Sequence, residues 1–349
     1  MKVAIDITPL RTGHRFRGIG FYTKNLTEAL KNLKEPNFSV TLIEKGKIPF
    51  DCDLIHYPYF DFFFLTLPLR KIKPIIVTIH DCTPLVFPEH YPPGVRGRIK
   101  YQIQKFSLRG MSRVIADSEN SKKDIVRFLG FPEGKIDVVY LAPANKVSKI
   151  EDREFLNSLV KKFTLPEVFV LYVGDVNYNK NLPGLIKACC LASLPLVIVG
   201  KQAVSKNFDP DNIENQSLVE LNQMTEGKKD VLRVGFVEEN DLAGFYTLAS
   251  VYCQPSFYEG FGLSILEAMS CGCPVITSNV SSTPEVAGKA ALFVNPNETR
   301  EISEAIKKVL EDKLLRDNLI ELGYKQVKKF SWKKCALETI ASYKEAIRL

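Results

Sequence analysis

Short apolar runs alternate with longer stretches of helical periodicity along the chain. The runs are four to seven residues long, rich in β-branched residues and apolar at odd and even positions alike, which is typical of parallel strands buried on both faces. They form two series, over residues 3–7, 40–43, 53–57, 75–80, 114–118 and 136–140, and then over 168–174, 196–200, 231–236, 251–255, 274–277 and 290–294. This pattern predicts an α/β protein with two Rossmann-like domains in tandem, facing each other across a cleft.

The boundary between the two domains is predicted between Tyr140 and Pro166, because the periodicity breaks at residues 141–145. A charged segment follows at 151–162. We therefore expect an N-terminal domain over residues 1–150 and a C-terminal domain over residues 160–330.

A further helix is predicted over residues 331–349. Ser331 is a suitable N-cap for it, and Ala336, Ile340, Tyr343 and Ile347 form one apolar stripe. A helix with such a stripe must dock against another part of the protein.

Composition places the chain among ordinary globular proteins, since 45% of its 349 residues are hydrophobic and 25% are charged. No apolar run approaches the ~18 residues of a membrane span. The first predicted strand begins directly after Met1, and the eight cysteines contain no C-x-x-C pair. We therefore expect no signal peptide, reduced thiols and a cytoplasmic location.

The formal net charge of +7 is compatible with phosphates or an anionic membrane as partners. It is too small to indicate nucleic-acid binding without a recognition motif, so no nucleic-acid partner is expected. Two D-x-D patterns, at residues 51–53 and 209–211, are interpreted as structural, and no metal site is expected.

Candidate chemistry is concentrated after the predicted strand 251–255, because open parallel sheets bind ligands outside the carboxyl ends of their strands. Gly260 and Gly262 permit close approach of the backbone, and a helix predicted to start near Gly262 offers free amides to an anion. Glu259 precedes this turn and Glu267 follows eight residues later. Carboxylates accept hydrogen bonds from sugar diols. The order carboxylate, anion site, carboxylate therefore matches a nucleotide sugar, although two acids placed by the helix dipole would have the same spacing.

Four further candidate residues lie near predicted strand or helix ends. Gly18 and Gly20 follow the first strand and suit either a ligand loop or a tight turn. His80 ends an apolar strand, where a satisfied structural histidine is the alternative to a catalytic one. Lys180 follows the strand 168–174 and is either a cation for a diphosphate or an ordinary solvated lysine.

The segment from Glu259 to Ser278 resembles the E-x7-E signature of glycosyltransferase family 4, whose members are retaining GT-B enzymes that use nucleotide-diphosphate sugars without a metal. Residues 281–288 and 290–296 continue the family pattern, and 172–182 is similar to its glycine–lysine donor loop. Residues 78–85 and 18–22 resemble the mannosyltransferase-like branch.

The resemblance implies roles for these residues. The donor would lie on the C-terminal domain and the acceptor on the N-terminal domain, with helix 331–349 crossing back onto the latter. His80, Lys180 and Glu259 would be catalytic: His80 contacts the transferred sugar, Lys180 the leaving diphosphate and Glu259 the sugar hydroxyls. The donor-binding set would be Gly18, Gly20, Gly174, Lys180, Gly260, Phe261, Gly262, Leu263 and Glu267, with Glu267 on the ribose diol. No cofactor is implied beyond the nucleotide-sugar substrate.

The chain departs from the family pattern beside the loop lysine, where an arginine is common and this sequence has Asp175 and Asn179. Arg15 or Arg17 could supply the missing charge. There are two further departures, Ser264 in place of proline and Phe21 in place of arginine. They weaken the substrate assignment taken from the mannosyltransferase-like branch more than they weaken the enzyme class.

The expected function is transfer of a sugar, best matched by mannose from GDP-mannose, to a glycan or lipid-linked acceptor in polysaccharide biosynthesis. Two alternatives remain open: a non-catalytic nucleotide-sugar-binding protein and a GT-B-type sugar phosphorylase. The acid-free basic segment 94–116 predicts either an amphipathic helix on the inner face of an anionic membrane or a core-packed helix with a solvated basic face. The phenylalanine-rich segment 60–65 fits a membrane-touching loop, an acceptor pocket or plain burial.

Overall fold

The computed structural model describes residues 1–44, 47–144 and 146–348. The chain divides into two compact units, one formed by Met1–Ala142 with Phe330–Leu349 and the other by Pro143–Lys329. This boundary lies in the segment where the periodicity breaks, eight residues before the predicted end of the N-terminal domain at residue 150. Of the predicted boundary segment and terminal helix, Asn145 and Leu349 lie outside the described residues.

The first unit is built on a six-stranded parallel sheet in the order β2-β1-β3-β4-β5-β6. Its strands are β1 (Lys2–Asp6), β2 (Ser39–Ile43), β3 (Leu54–Tyr57), β4 (Ile75–Ile79), β5 (Arg113–Ala116) and β6 (Ile136–Val138). Its helices are α1 (Gly18–Asn32), α2 (Thr83–Val86), α3 (Gly94–Leu108) and α4 (Glu119–Asp124), the last continued by a π-helical turn at Ile125–Leu129.

The second unit repeats this architecture with the strand order β12-β11-β10-β7-β8-β9, all pairs being parallel. Its strands are β7 (Val170–Val173), β8 (Leu196–Val199), β9 (Val231–Val234), β10 (Val251–Gln254), β11 (Val275–Ser278) and β12 (Ala291–Val294). Its helices are α5 (Arg153–Phe163), α6 (Leu182–Ala192), α7 (Gln216–Thr225), α8 (Glu239–Leu248), α9 (Leu263–Ser270), α10 (Thr283–Ala287), α11 (Thr299–Glu311) and α12 (Lys313–Val327).

All twelve predicted strands are present, and the two-sheet α/β architecture is confirmed. The central strands are buried on both faces, as continuous apolar runs require. Several strands end earlier than predicted. Strand β4 stops at Ile79 and β5 stops at Ala116, so His80 and Asp117 fall in the loops at the carboxyl edge of the sheet. Each of these two polar residues is therefore the first residue after its strand and not part of it.

The last helix, α13 (Trp332–Arg348), packs within the first unit. Ser331 caps it, its hydroxyl oxygen accepting a hydrogen bond from the amide of Lys334 at 3.1 Å. Tyr343 is fully buried, and its hydroxyl lies 2.7 Å from His56 Nδ1. The predicted stripe is correct for its first three residues, but Ile347 is 41% exposed, because the last turn of the helix extends past the core. No helix among the described residues has the length and apolar character to cross a bilayer.

Candidate functional site

Two loops of the second unit meet at the carboxyl ends of β7 and β10, which are paired neighbours in the sheet. One loop carries Lys180 and the other carries Glu259. The Lys180 ammonium lies 2.9 Å from Oε1 and 2.7 Å from Oε2 of Glu259. The structure therefore brings two predicted catalytic residues together as an ion pair, and the sequence had not predicted that they contact each other.

The carboxylate of Glu259 is held by two further donors. Ser256 Oγ donates to Oε1 at 2.6 Å and Gln254 Nε2 donates to the same oxygen at 2.5 Å. Gln254 is itself fixed by the Tyr252 hydroxyl, which donates to its carbonyl oxygen at 2.6 Å. All four side chains are buried or nearly so. This carboxylate is therefore fixed in position before any ligand arrives.

Two asparagines hold the lysine loop against the glutamate loop. Asn179 donates from Nδ2 to the Tyr258 carbonyl at 2.9 Å. Asn181 adopts a left-handed conformation, with φ of 52°, and donates to the Pro255 carbonyl at 3.1 Å. Both are buried. Asn179, where the family pattern led us to expect an arginine, thus positions Lys180 through hydrogen bonds to the backbone.

A pair of serines fixes the backbone around Glu259. The Glu259 amide donates to Ser281 Oγ at 3.0 Å, and Ser282 Oγ lies 2.9 Å from the carbonyl oxygens of both Glu259 and Phe261. The sequence pattern at residues 281–288 marked these serines as part of the family signature, but residue type alone could not show what they bind.

The turn into α9 follows the prediction. Gly262 has a φ of +102°, a region that other residues adopt only with strain, and α9 begins at the next residue. A Cβ at this position would lie 3.1 Å from Ile265 Cδ1. The predicted diphosphate-binding residues Gly260, Phe261, Gly262 and Leu263 therefore form one turn at the start of a helix, directly after Glu259.

Glu267 lies in the middle of α9 in a different environment from Glu259. Its Oε2 accepts a hydrogen bond from the Tyr246 hydroxyl at 3.1 Å. Burial raises the pKa of the Glu267 carboxyl to about 7, the Tyr246 hydrogen bond opposes the shift, and the charge of Glu239 adds to it. The two acids of the E-x7-E motif therefore differ in electrostatics: Glu259 has a cationic partner and Glu267 a neutral one.

Gly174, another predicted donor-binding residue, follows β7 and donates its amide to the Val199 carbonyl at 3.0 Å. Its own carbonyl oxygen would lie 2.2 Å from a Cβ placed on Gly200. The observed close approach at Gly174 is therefore between the ends of two strands.

In the first unit, His80 follows β4 and Asp117 follows the neighbouring strand β5. His80 Nδ1 lies 2.6 Å from Asp117 Oδ2, and Nε2 lies 3.0 Å from the Pro58 carbonyl oxygen. The Tyr22 and His80 rings pack nearly at right angles, with their centroids 4.7 Å apart. Burial opposes protonation of His80, but the Asp117 carboxylate and the Pro58 carbonyl outweigh it and raise the His80 pKa.

Asp117 is the residue of the candidate site that the sequence reasoning missed, because it was taken as part of a strand. It is buried, and burial raises the pKa of its carboxyl against the attraction of His80. A signal was available: an acid directly after an apolar strand, beside the strand that ends in His80.

The two N-terminal glycines differ in their surroundings. A Cβ on Gly20 would lie 2.4 Å from the His14 carbonyl oxygen, whereas one on Gly18 would meet nothing within 4 Å. Gly20 therefore allows the turn Gly13–Phe16 to pack on α1. This contact supports the tight-turn interpretation for Gly20, and a role in donor binding stays a prediction.

Comparisons with known proteins identify the family to which this chain belongs. The model described as "Glycosyl transferases group 1" matches residues 158–326, and "Glycosyltransferase Family 4" matches residues 10–142. The O-antigen chain mannosyltransferase B of Escherichia coli is 32% identical over 283 residues, covering 79% of this chain and 71% of that protein. The chain belongs to glycosyltransferase family 4. It is an enzyme of the transferase class, as the resemblance implied.

Other relatives of this glycosyltransferase differ in length. The serotype-specific mannosyltransferase WbdA of Escherichia coli is 26% identical over 78% of this chain, and the match spans only 34% of WbdA. Among solved structures, sucrose-phosphate synthase from Thermosynechococcus elongatus superimposes with a TM-score of 0.73 at 20% identity, covering 99% of this chain and 98% of that chain. Anabaena HepE in complex with UDP and glucose gives a TM-score of 0.72 at 17% identity, covering 99% of both chains. The expected GT-B fold is confirmed.

Proposed function

We propose that this glycosyltransferase transfers mannose from GDP-mannose to a glycan or lipid-linked acceptor in the synthesis of an O-antigen-like polysaccharide, with retention of configuration and without a metal or other cofactor. The observation that carries the sugar assignment is the similarity to O-antigen chain mannosyltransferase B, 32% identical over 79% of this chain. The UDP and glucose named for Anabaena HepE, which shares the fold, support a nucleotide sugar as the donor class.

The geometry around Lys180 supports a role in departure of the leaving group. As a nucleotide sugar reacts, negative charge grows on its diphosphate, and a preorganised cation near that charge lowers the barrier. Lys180 is held in place by Glu259 and by the loop that Asn179 and Asn181 anchor. The turn Gly260–Leu263 would add backbone amides at the start of α9. In this proposal the lysine and the amides stabilise the negative charge of the leaving diphosphate, so that the reaction needs no metal ion.

The sugar and the ribose are assigned to the carboxylates. Glu259 accepts hydrogen bonds from Gln254 and Ser256 on one oxygen, and sugar hydroxyls can donate to the other. Glu267 would accept from the ribose diol, and His80 would contact the transferred sugar. The Asp117 carboxylate raises the His80 pKa and so favours the protonated ring, which is suited to donate.

A donor screen tests the proposal. The purified protein is incubated in EDTA with GDP-mannose, UDP-glucose, UDP-N-acetylglucosamine or ADP-glucose, and the melting temperature and the release of nucleoside diphosphate are measured. We expect GDP-mannose alone to raise the melting temperature and to release nucleoside diphosphate slowly, by transfer of its sugar to water. Lys187→Ala, in an exposed position on α6, is the matched control for Lys180→Ala and should react as the wild type does.

Three outcomes would contradict separate parts of the proposal. Preference for a uridine or adenosine donor would refute mannose from GDP-mannose. Loss of turnover in EDTA, restored by a divalent cation, would refute independence of metal. A donor that binds without turnover would favour the non-catalytic binding protein.

A further inference from the structure

Helix α3 has apolar side chains on the side that faces away from its own unit. Val95, Ile99 and Phe106 are 77%, 58% and 65% exposed. They are four and eleven residues apart, which places them within about 40° of one another around a helix of 3.6 residues per turn. The sequence offered membrane contact and core packing as alternatives for this segment, but the helix has one face suited to each.

The opposite side of α3 is fixed to the first unit. Gln104 lies nine residues, or half a revolution, from Val95 and is fully buried. Its amide nitrogen donates to Thr66 Oγ1 at 2.6 Å, and its carbonyl oxygen accepts from the Leu67 amide at 3.2 Å. Ser107 Oγ donates to the Pro68 carbonyl at 2.7 Å. The exposed stripe is therefore held outward by a packed helix and does not arise from a loosely attached one.

Positive charge flanks the stripe, and the adjoining loop extends its apolar surface. Arg96 and Arg98 are exposed and form no ion pair with any described residue. Lys100 lies 4.7 Å above the ring of Phe64, which is 64% exposed. No acidic residue occurs in 62–80 or in 94–116. We define the basic–apolar face as Phe64, Val95, Ile99 and Phe106 with Arg96, Arg98 and Lys100.

We propose that the basic–apolar face docks this glycosyltransferase on an anionic phospholipid surface. Exposed aliphatic and aromatic side chains insert at the boundary between headgroups and acyl chains, while the flanking cations attract anionic headgroups. A second copy of the chain is a poorer occupant, because a two-fold contact would set these cations against their own copies without an acid to compensate.

The face is connected to His80 through a short piece of chain. Pro58 accepts the hydrogen bond from His80, and Phe64 follows six residues later. Between them, Asp61 Oδ1 accepts from the Phe64 amide at 2.9 Å, and Asp61 Oδ2 accepts from the Tyr59 hydroxyl at 2.5 Å. Docking would thus hold His80 close to a membrane that carries the acceptor. This link to a lipid-linked acceptor rests on the proposed function, whereas the docking surface itself does not.

Vesicle flotation tests the docking surface with the full chain. Phosphatidylcholine vesicles with and without phosphatidylglycerol are the two probes. We expect binding only to the anionic vesicles, weakening as salt is added. Arg96→Gln with Arg98→Gln should reduce the partition coefficient about 25-fold, at about 1 kcal/mol per cation. Ile99→Ser with Phe106→Ser should reduce it roughly tenfold or more.

Matched controls separate this face from general charge and hydrophobicity. Lys307→Gln with Lys308→Gln removes two exposed lysines of α11, and Leu314→Ser removes a leucine of α12 that is 83% exposed. Both controls should float as the wild type does. Release of nucleoside diphosphate from a donor in solution should be unchanged in every variant, so failure to dock and failure of the proposed function are read out separately.

Three results would overturn the docking proposal. Equal binding to neutral and anionic vesicles would remove the role of the cations. Flotation unchanged in both double variants of the face would place membrane contact elsewhere. A wild-type dimer that Ile99→Ser with Phe106→Ser converts to a monomer, without vesicle binding, would assign the face to a second copy.

Discussion

The Lys180–Glu259 pair and the His80–Asp117 pair occupy equivalent places in their sheets, but their carboxylates differ in the number of hydrogen-bond donors around them. Each joins residues that follow two adjacent parallel strands. Glu259 accepts from Lys180, Gln254 and Ser256, whereas Asp117 Oδ1 has no hydrogen-bond partner among the residues that the structure describes. The carboxylate in the second unit therefore has one cation and two neutral donors around it, whereas the buried carboxylate in the first unit raises the pKa of the histidine beside it. The Lys180–Glu259 pair therefore suits the binding of an anionic donor. Dependence on pH is expected at the His80–Asp117 pair.

The largest effect is expected from Lys180→Ala. Loss of a preorganised cation should reduce release of nucleoside diphosphate by about 10²- to 10³-fold, and the remaining Glu259 carboxylate would be buried without its charge partner. Glu259→Gln combined with Lys180→Ala should cost much less than the two single effects added, because the residues act as one pair. Additive losses in that double-mutant cycle would show that the pair has no joint function.

Gly20→Ala tests the packing of the turn Gly13–Phe16 on α1. A Cβ 2.4 Å from the His14 carbonyl oxygen must displace backbone, which should cost about 2 kcal/mol or more in the free energy of unfolding. Gly18→Ala, with open space around it, is the matched control and should unfold like the wild type in a urea titration. Equal stability of the two variants would contradict the packing described for this turn.

Asp117→Asn should replace the charged partner of His80 by a neutral amide. Burial of His80 remains while the carboxylate that attracts its proton is lost, so the His80 pKa should fall. Turnover should fall about tenfold, as when a residue that orients a functional group is removed. Nitrogen-15 NMR titration of the histidines measures the pKa.

The same spectra contain an internal reference for Asp117→Asn. Burial lowers the pKa of His56 to about 3, so His56 should not titrate near neutrality in either protein. A His80 pKa that stays raised in the variant would mean that Asp117 does not control protonation.

Glu267→Gln should give the smallest effect, visible as a change in pH dependence. In the wild type, the folded carboxyl keeps its proton up to a pKa of about 7, while the unfolded one loses it near pH 4.5. The folded state therefore binds more protons in this window, and its free energy of unfolding should fall by about 1 kcal/mol between pH 6 and pH 8 from this group. The variant should lack this component in thermal melts. An unchanged slope would show that Glu267 is already ionised in the fold.

The strands were predictable because period and burial are local properties of the sequence. Each of the twelve runs is present, and errors are confined to ends such as His80 and Asp117. The contact of Lys180 with Glu259 could not be predicted in the same way. It depends on β7 pairing with β10, which is far away in the sequence, and on the backbone bonds made by Asn179.

The roles of individual residues were likewise predictable only where they depend on local sequence. A motif marked Glu259, Gly262 and Glu267 from their spacing. The spacing could not show that burial separates the two acids electrostatically, because that depends on Lys180 and Tyr246 from other elements. In the sequence of α3, the apolar residues of two different faces alternate with each other. Only the structure shows which of these faces is covered by the rest of the unit.

The return of the chain to the first unit has a consequence for synthesis. Tyr343 of α13 completes a buried hydrogen-bonded group with His56 and Thr78 in the core of a sheet whose strands lie in the first 142 residues. During translation the ribosome must finish the entire second unit before this core can close. The second unit, which is continuous in sequence, can fold while the first still waits for its last helix. The part of the chain that is made first is therefore the last to be completed.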